Sequence, residues 1–163
     1  EVITVEIYLV RHGEYVDKGS STLEIDSQNR LSEQGIAKLQ RQAQTLAKWN
    51  LAVDHIVTSP FVRARETAEI LAAPFNAPVD EHAALTRTYF NLDGLRQILN
   101  DYAQADRLML VGHESDLSTV AAAVIGGGSM ELARGGIIRI ALGSIEPPQG
   151  KLLWLLSPEV MGA

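Results

Sequence analysis

The sequence predicts an α/β fold: a three-layer α/β/α sandwich around a mostly parallel central sheet. Apolar runs rich in β-branched residues alternate along the 163 residues with segments whose apolar residues recur at helical spacing. Apolar residues also make up 46% of the chain, which is enough for one sizeable core. Because no repeat or long linker divides the chain, we expect a single domain over residues 1–163.

The first half of the chain carries clear signals for where helices begin. Ser32 precedes a run with apolar residues at helical spacing and is a plausible N-cap. Ser59 and Pro60 together predict a second helix start, with Pro60 at the first helical position. The predicted elements of this half are strands at 3–10 and 54–59 and helices at 31–50 and 59–73. The apolar face of the helix at 31–50 is predicted to be Ile36, Leu39, Ala43, Leu46 and Ala47.

The second half repeats the alternation and ends on two successive strands. A break at "PFNAP" (74–78) separates the two halves, and glycines end the last predicted helix. The predicted elements are helices at 92–103 and 116–128 and strands at 107–112, 137–142 and 151–156.

The charge balance limits the classes of partner. A net charge of −6 argues against nucleic acid, which needs a basic face, so an anionic substrate would require a local basic pocket. The chain has no cysteine, which excludes a disulfide framework, a thiolate zinc site and a thiol nucleophile. We expect no membrane partner, because every apolar stretch is far shorter than the roughly 20 residues that span a bilayer.

The start of the chain lacks the basic and then apolar pattern of a signal peptide, so we expect a cytoplasmic protein. The chain begins with Glu1 rather than Met, and we expect part of the natural N-terminus to precede it. Composition carries no signal for an oligomeric state.

Polar groups follow three of the predicted strands, at the point where each strand ends. In open α/β sheets, ligands bind beyond the carboxyl ends of the strands, so these groups are expected to share one pocket. The three strand ends are Arg11-His12-Gly13, Thr58-Ser59-Pro60 with Arg63 and Arg65 in the following helix, and Gly112-His113-Glu114.

A pocket with two imidazoles and at least two guanidiniums suits a phosphate. Arginine presents a planar fork of donors that matches phosphate oxygens, and the helix start after Ser59 adds free N–H groups. Gly13 and Ser59 are therefore expected beside the bound phosphoryl group. An imidazole between guanidiniums stays largely neutral, and a neutral imidazole can attack phosphorus. Helical phase does not decide between Arg63 and Arg65.

Each of these motifs also has a plain structural interpretation. An Arg-His pair at a strand end is commonly part of a solvated loop, and a glycine beside it can serve a tight turn. The two other histidines, His55 and His82, lack a strand-end setting and are expected to be structural. A further alternative makes "HGE" and "HES" two halves of a metal site, although two arginines would lie poorly beside a cation.

Four segments resemble the histidine phosphatase superfamily, in the order and spacing of that family. They are "RHGE" at 11–14, "LSEQG" at 31–35, "TSPFVRARETAEIL" at 58–71 and "LVGHESDLS" at 110–118. The resemblance implies the phosphoglycerate-mutase-like fold. The short chain, without an inserted helical subdomain, and its ending are similar to the SixA-type phosphohistidine phosphatases in particular.

The resemblance implies a role for each strand-end residue. His12 would be the nucleophile and form a phosphohistidine intermediate, with Arg11 binding the phosphoryl group. Arg63, the arginine of the SPxxRA pattern, would be the second clamp, and His113 would contact the phosphoryl oxygens. The family mechanism needs no metal or other cofactor.

The sequence departs from the family where a glutamate often protonates the leaving group. The corresponding stretch is "AALTRTYF" (83–90), which leaves Ala84 at the usual glutamate position. Glu81, His82 and Asp93 lie nearby in sequence without an assignable role. A missing general acid would slow ester hydrolysis by about 10²–10⁴-fold but matters less for the labile P–N bond of phosphohistidine.

The substrate expected from these features is phosphohistidine on a phosphotransfer protein. Only residues 14–30 and 82–94 are available to border the pocket, and the first is expected to be a mobile loop beside an open, shallow site. A phosphohistidine on a protein surface suits such a site. The alternatives are a general phosphomonoesterase or mutase-like enzyme acting on small metabolites, and a pseudoenzyme that binds phosphorylated partners.

Overall fold

The fold is built on six strands and five α-helices within residues 5–162, which are the residues that the computed structural model describes. The strands are β1 (Val5–Arg11), β2 (His55–Thr58), β3 (Val79–Glu81), β4 (Arg107–Gly112), β5 (Ile137–Ile145) and β6 (Pro148–Leu156). The helices are α1 (Leu23–Asp26), α2 (Glu33–Lys48), α3 (Val62–Ala72), α4 (Leu92–Asp101) and α5 (Asp116–Ile125). Short 3₁₀ turns occupy Ala73–Phe75 and Ala83–Leu85. Residues 3 and 4 of the predicted first strand lie outside the described residues.

The strands form one sheet in the order β3-β2-β4-β1-β5-β6. The first four of these are mutually parallel, and β5 and β6 form an antiparallel hairpin on the β1 side. The predicted mostly parallel sheet is therefore confirmed. Arg11 pairs with Gly112 and Thr58 with Val111, so the carboxyl ends of β1, β2 and β4 lie level at one edge.

Helices cover both faces of the sheet, as the three-layer prediction requires. Alternate residues of β1 face opposite sides: Ile7 and Leu9 join a cluster with α4 and α5, whereas Tyr8 and Val10 join a cluster with α2 and α3. All four side chains are buried. This double burial explains why the strand is apolar at successive positions.

The helix α2 begins and packs largely as its sequence predicts. The hydroxyl of Ser32 accepts a hydrogen bond from the Gly35 N–H at 3.0 Å, which caps the first turn. The apolar face includes buried Leu39, Ala43 and Leu46, but Ala47 is exposed near the end of the helix. The predicted face is correct up to this last turn.

The predicted start of α3 is wrong. The helix begins at Val62, with Phe61 as its N-cap, and not at Ser59 and Pro60. The Ser59 hydroxyl accepts a hydrogen bond from the Phe61 N–H at 3.2 Å and also contacts His113. Ser59 therefore lies in a turn between β2 and α3. Its hydroxyl bonds Phe61 within that turn and His113 at the end of β4.

Other boundaries differ from the predictions at the ends of elements. The strand β3 was not predicted, because three residues at the sheet edge leave too short a pattern. The helix α5 ends three residues early, at Ile125, and is followed by Gly126, whose φ of +100° suits glycine. The strands β5 and β6 extend into the predicted link 143–150, so they form a longer hairpin. Within residues 5–162, no helix is long and apolar enough to cross a membrane.

The start of α2 is packed directly against the loop that follows β1. A Cβ added at Gly35 would lie 2.2 Å from the carbonyl oxygen of Glu14, which also accepts a hydrogen bond from the Ser32 N–H. We expect Gly35→Ala to destabilise the protein by roughly 1–3 kcal/mol, because the backbone must move to relieve the overlap. Urea unfolding measures this change. The control Gly143→Ala, where a Cβ meets nothing within 4 Å, should change stability by no more than about 0.5 kcal/mol, and equal effects of the two substitutions would contradict the prediction.

Candidate active site

The three polar strand ends meet at one edge of the sheet. The His12 N–H bonds the Gly112 carbonyl at 3.1 Å, and the Ser59 N–H bonds the Val111 carbonyl at 2.9 Å, which ties the loops together. The His12 and His113 rings lie 5.2 Å apart between centroids. Both imidazoles are almost fully buried, so the peptide scaffold and not solvent sets their environment.

The hydrogen bonds of His12 define which ring nitrogen is free. Its Nδ1 lies 2.8 Å from the Gly13 carbonyl oxygen, which can only accept, so Nδ1 carries the proton. The guanidinium Nε–H of Arg63 donates to His12 Nε2 at 3.3 Å. The lone pair of Nε2 therefore carries no proton and accepts the Arg63 Nε–H, and it becomes available to an electrophile once that donor turns to another acceptor.

The hydrogen bonds of His113 place its ring proton on the same nitrogen, Nδ1. Its Nε2 lies 2.8 Å from the Ser59 hydroxyl, which can donate its proton to that nitrogen while it accepts the Phe61 N–H. Nδ1 of His113 then carries the ring proton. This Nδ1 is buried and has no hydrogen-bond partner among the described residues, so it is a free donor beside His12.

Both imidazoles are held neutral. Burial lowers the pKa of His12 to about 3, and the charges of Arg63 and Arg11 act in the same direction against the hydrogen bond to Gly13. Burial likewise lowers the pKa of His113 to about 2, followed in importance by its proximity to His12 and Arg63. A neutral His12 at physiological pH is a competent nucleophile.

Arg63, and not Arg65, is brought to the site. Arg63 is 1% exposed, whereas Arg65 is only partly buried and lies 3.5 Å from Glu81. The Arg63 Nη1 donates to the Asp26 Oδ1 and carbonyl oxygen, at 3.0 and 2.9 Å, and Nη2 donates to Oδ2 at 3.2 Å. Asp26 thus takes both N–H groups of Nη1 and one of Nη2, while Nε–H is directed at His12. The role of Arg63 as a phosphate clamp stays a prediction.

Asp26 is a buried carboxylate that remains ionised. Burial raises its pKa, but hydrogen bonds and charge from Arg63 outweigh that effect and lower the pKa overall, with contributions from Asn29 and Arg87. Arg87 reaches the same carboxylate, with Nη1 at 3.2 Å from Oδ2, and its side chain is half exposed. Asp26 thus orients two guanidiniums and has no proton to donate.

The remaining wall of the site also carries cations. Arg11 donates to the Leu132 carbonyl at 3.0 Å, and its Nε is buried with no partner among the described residues. The Tyr15 ring lies 4.2 Å from the guanidinium carbon of Arg63 and 5.2 Å from that of Arg134. Arg134 is exposed at the rim, so guanidiniums approach the site from several directions.

Four of these residues were not singled out from the sequence: Asp26, Arg87, Tyr15 and Arg134. Two signals could have indicated them. Asp26 and Arg87 fall in the segments 14–30 and 82–94 that were expected to border the pocket. Arg134 lies just before β5, which is antiparallel to β1 and therefore starts where β1 ends.

The segment 14–30 is more firmly held than the expected mobile loop. It contains α1, and Asn29 is buried within it. The Asn29 side chain accepts the Lys18 N–H at 3.0 Å and donates to the Gly19 carbonyl at 3.0 Å and to Asp26 at 3.2 Å. These bonds hold together the segment that presents Asp26 to Arg63.

The three candidate proton donors near Ala84 are engaged elsewhere. Glu81 pairs with Arg65, His82 lies 2.8 Å from Asp101, and Asp93 lies 3.3 Å from Arg96. Ala84 itself packs against the hydrophobic core. The fourth histidine, His55, pairs with Asp80. None of these side chains is hydrogen-bonded to His12 or His113.

The described residues contain no ligand set for the alternative in which "HGE" and "HES" form a metal site. Within residues 5–162, no group of three or more histidine, cysteine, aspartate or glutamate side chains is arranged to hold a metal ion. Glu14 lies 2.7 Å from Lys38, and Glu114 accepts the Ser118 N–H at 2.8 Å. The carboxylates next to the two histidines are thus bonded to the protein itself.

Two neutral imidazoles among buried guanidiniums, at the carboxyl ends of parallel strands, define an anion-binding site of the phosphoryl-transfer class. The family model of the histidine phosphatase superfamily (branch 1) matches residues 7–105. An uncharacterized protein of Picosynechococcus is 32% identical over 145 residues, which cover 86% of this chain and 87% of that protein. The chain belongs to the histidine phosphatase superfamily, and this membership supports phosphatase activity.

More distant relatives share part of the chain or its fold. The mitochondrial serine/threonine-protein phosphatase Pgam5 of Drosophila ananassae is 42% identical over 65 residues, which cover 40% of this chain but only 21% of that protein.

A solved structure of the protein histidine phosphatase SixA with tungstate has a TM-score of 0.77 at 20% identity, covering 96% of this chain and 99% of that one. A putative SixA of Nakamurella multipartitia has a TM-score of 0.79 at 17% identity, covering 95% and 96%. A putative α-ribazole-5′-phosphate phosphatase of Escherichia coli has a TM-score of 0.71 at 17% identity, covering 94% and 97%. These structures confirm the phosphoglycerate-mutase-like fold.

The two buried imidazoles should make stability depend on pH. In the unfolded chain they bind protons below about pH 6.5, while in the folded protein the lowered pKa values of His12 and His113 keep them neutral. The unfolded state therefore binds more protons, and the free energy of unfolding should fall as the pH falls. Between pH 7 and pH 5 the expected loss is about 2 kcal/mol for each imidazole.

Urea unfolding at pH 7, 6 and 5 measures this loss. His113→Asn should show a shallower pH dependence than the wild type, whereas the control Gly143→Ala, which changes no titrating group, should keep the slope. A wild-type stability that does not change over this range would contradict the assigned neutral state.

Proposed function

We propose that this chain is a metal-independent phosphatase in which Nε2 of His12 attacks phosphorus and forms a phosphohistidine intermediate. The observation that carries the proposal is the pair of hydrogen bonds on the His12 ring. Nδ1–H is directed at the Gly13 carbonyl at 2.8 Å, and Nε2 is left unprotonated at 3.3 Å from Arg63 Nε. A buried, oriented and neutral imidazole is what nucleophilic attack requires.

The proposed reaction has two steps. In the first, the Nε2–P bond forms as the bond from phosphorus to the leaving group breaks, and the leaving group takes a proton from solvent. The positive charge that develops on the His12 ring is stabilised through the hydrogen bond from Nδ1 to Gly13. In the second step, water attacks phosphorus, the Nε2–P bond breaks, and inorganic phosphate leaves with the neutral imidazole restored.

Several donors support stabilisation of the phosphoryl oxygens during both steps. Arg11 Nε and His113 Nδ1 are buried without partners among the described residues, and Arg63 Nε can exchange His12 for a phosphoryl oxygen. Charge-assisted donors fixed in a water-poor site are worth more than the same groups in water. Ser59 contributes indirectly, since its hydroxyl orients the His113 ring.

For the substrate, we propose phosphohistidine on a protein of the histidine phosphotransfer type. Glu81, His82 and Asp93 are bonded away from the imidazoles, and the ionised Asp26 cannot donate a proton. A leaving group that departs readily is therefore favoured, and the P–N bond to imidazole is such a bond. SixA, a protein histidine phosphatase, has the same fold. We also propose a cytoplasmic setting and a role in signal transduction, as this substrate implies.

A second candidate is a phosphatase for small phosphorylated metabolites. It is supported by structural neighbours with other substrates, among them the α-ribazole-5′-phosphate phosphatase and a mycobacterial glucosyl-3-phosphoglycerate phosphatase, whose TM-score is 0.70 at 16% identity. An ester substrate, however, requires a proton for its alkoxide leaving group. A binding protein without turnover is the third alternative.

The test compares hydrolysis of a phosphohistidine-bearing phosphotransfer protein with that of p-nitrophenyl phosphate and of alkyl phosphates, all in the presence of a chelator. His12→Ala should lower turnover by roughly 10³-fold or more. The control His55→Ala removes a histidine paired with Asp80, outside the candidate site, and should leave turnover unchanged. Brief reaction with ³²P-labelled substrate and rapid quenching should trap label on the wild type and not on His12→Ala.

The outcomes separate the candidates. Preferential release from phosphohistidine, lost in His12→Ala, supports the proposal. Faster turnover of alkyl phosphates than of phosphohistidine would favour a metabolite phosphatase. Phosphate binding without turnover of any substrate would indicate a binding protein, and turnover that survives His12→Ala would refute the nucleophile.

A further inference from the structure

Arg63 cannot neutralise a bound phosphoryl group by itself. Asp26 balances the charge of Arg63 and takes both N–H groups of Nη1 and one of Nη2, so Nε–H and the second N–H of Nη2 are left for a substrate. A phosphoryl dianion carries two negative charges, which a guanidinium already paired with a carboxylate does not balance, so a further cation is needed on that side of the site. Breaking the buried pair to free Arg63 would leave Asp26 as a buried charge with fewer partners, which is strongly unfavourable.

A second guanidinium is held against the same carboxylate in a different way. Arg87 contacts Asp26 through one nitrogen, Nη1, at 3.2 Å from Oδ2, and its side chain is 42% exposed. The Oδ2 atom also accepts Arg63 Nη2, and Oδ1 accepts Arg63 Nη1 and Asn29. Asp26 therefore stays fully paired when Arg87 moves away.

We propose that Arg87 is a further substrate-binding residue, which exchanges Asp26 for the phosphoryl group of the substrate. This inference rests on the proposed function, because it concerns binding at the same site. The exchange replaces one weak, half-exposed contact with a charge-assisted contact to a dianion. In the free protein, Asp26 keeps Arg87 directed at the site and balances part of its charge.

The backbone around Arg87 is fixed, so the exchange needs only side-chain movement. The next residue, Thr88, donates its N–H to Asp116 Oδ2 at 2.7 Å, and Tyr89 N–H bonds the Thr86 carbonyl at 2.9 Å. Asp116 is the first residue of α5, three positions after His113. The segment that carries Arg87 is thus anchored beside the second imidazole. In agreement with this placement, the charge of Arg87 contributes to lowering the pKa of His113, after burial, His12 and Arg63.

The test measures binding of inorganic phosphate to the whole protein by calorimetry, at fixed pH and low ionic strength. Arg87→Ala should weaken phosphate binding by about 10-fold or more, and Arg87→Lys should lie between that variant and the wild type, since it keeps the charge but loses the planar fork. The matched control is Arg96→Ala. Arg96 is 44% exposed and pairs with Glu146 and Asp93, so its removal changes the net charge equally outside the site. The phosphate affinity of this control should stay within about 2-fold of that of the wild type.

Phosphate binding needs no turnover, so the result can be read whether or not His12 is a nucleophile. Equal phosphate affinity in Arg87→Ala and the wild type would overturn the inference, and so would equal weakening by Arg96→Ala. Thermal unfolding of each variant identifies any loss of folded protein. Phosphate affinity that recovers in Arg87→Lys, at unchanged unfolding temperature, supports contact with the anion. By contrast, turnover retained in His12→Ala refutes the proposed function and does not bear on Arg87.

Discussion

The buried guanidinium of Arg63 is the group on which the site depends. A buried charge is tolerated only when it is paired and hydrogen-bonded, and Asp26 meets that requirement with its carboxylate and its carbonyl oxygen. The pairing fixes the plane of the guanidinium, so its Nε is directed at Nε2 of His12. The ion pair also holds the segment 14–30 against α3, because Asp26 of that segment is the counter-ion of Arg63.

This ion pair also explains how an acidic protein can hold an anion. The chain carries a net charge of −6, yet Arg63 and Arg87 pair with the buried Asp26, and Arg11 and Arg134 lie near His12. The excess of positive charge is local, and the charge of the buried Arg63 is screened little by solvent. The same burial, together with the guanidiniums, keeps both imidazoles neutral. A phosphoryl group would therefore meet cations that bind it and a nitrogen that can attack it.

The sequence predicted the parts of the site that regular elements position. His12, Ser59 and His113 each end a strand or follow one directly, and the carboxyl ends of parallel strands meet at one edge. Asp26 was not predicted, because it lies in a polar segment with little periodic pattern. The sequence therefore predicted Arg63 as a clamp without its counter-ion. Which face of α3 an arginine occupies could not reveal that a carboxylate 37 positions earlier would engage both terminal nitrogens.

The side chains that residues 82–94 place at the site bear on which substrate the site favours. Residues 82–94 place at the site a guanidinium from Arg87, whereas the acidic and imidazole side chains of that segment turn to partners elsewhere. A guanidinium stays charged at every physiological pH, so it can bind an anion but cannot serve as a proton donor. In the proposed function, catalysis comes from stabilising the transferring phosphoryl group and not from protonating the leaving group. That mechanism suits a bond that is already labile, which is the reason for proposing phosphohistidine rather than an alkyl ester as the substrate.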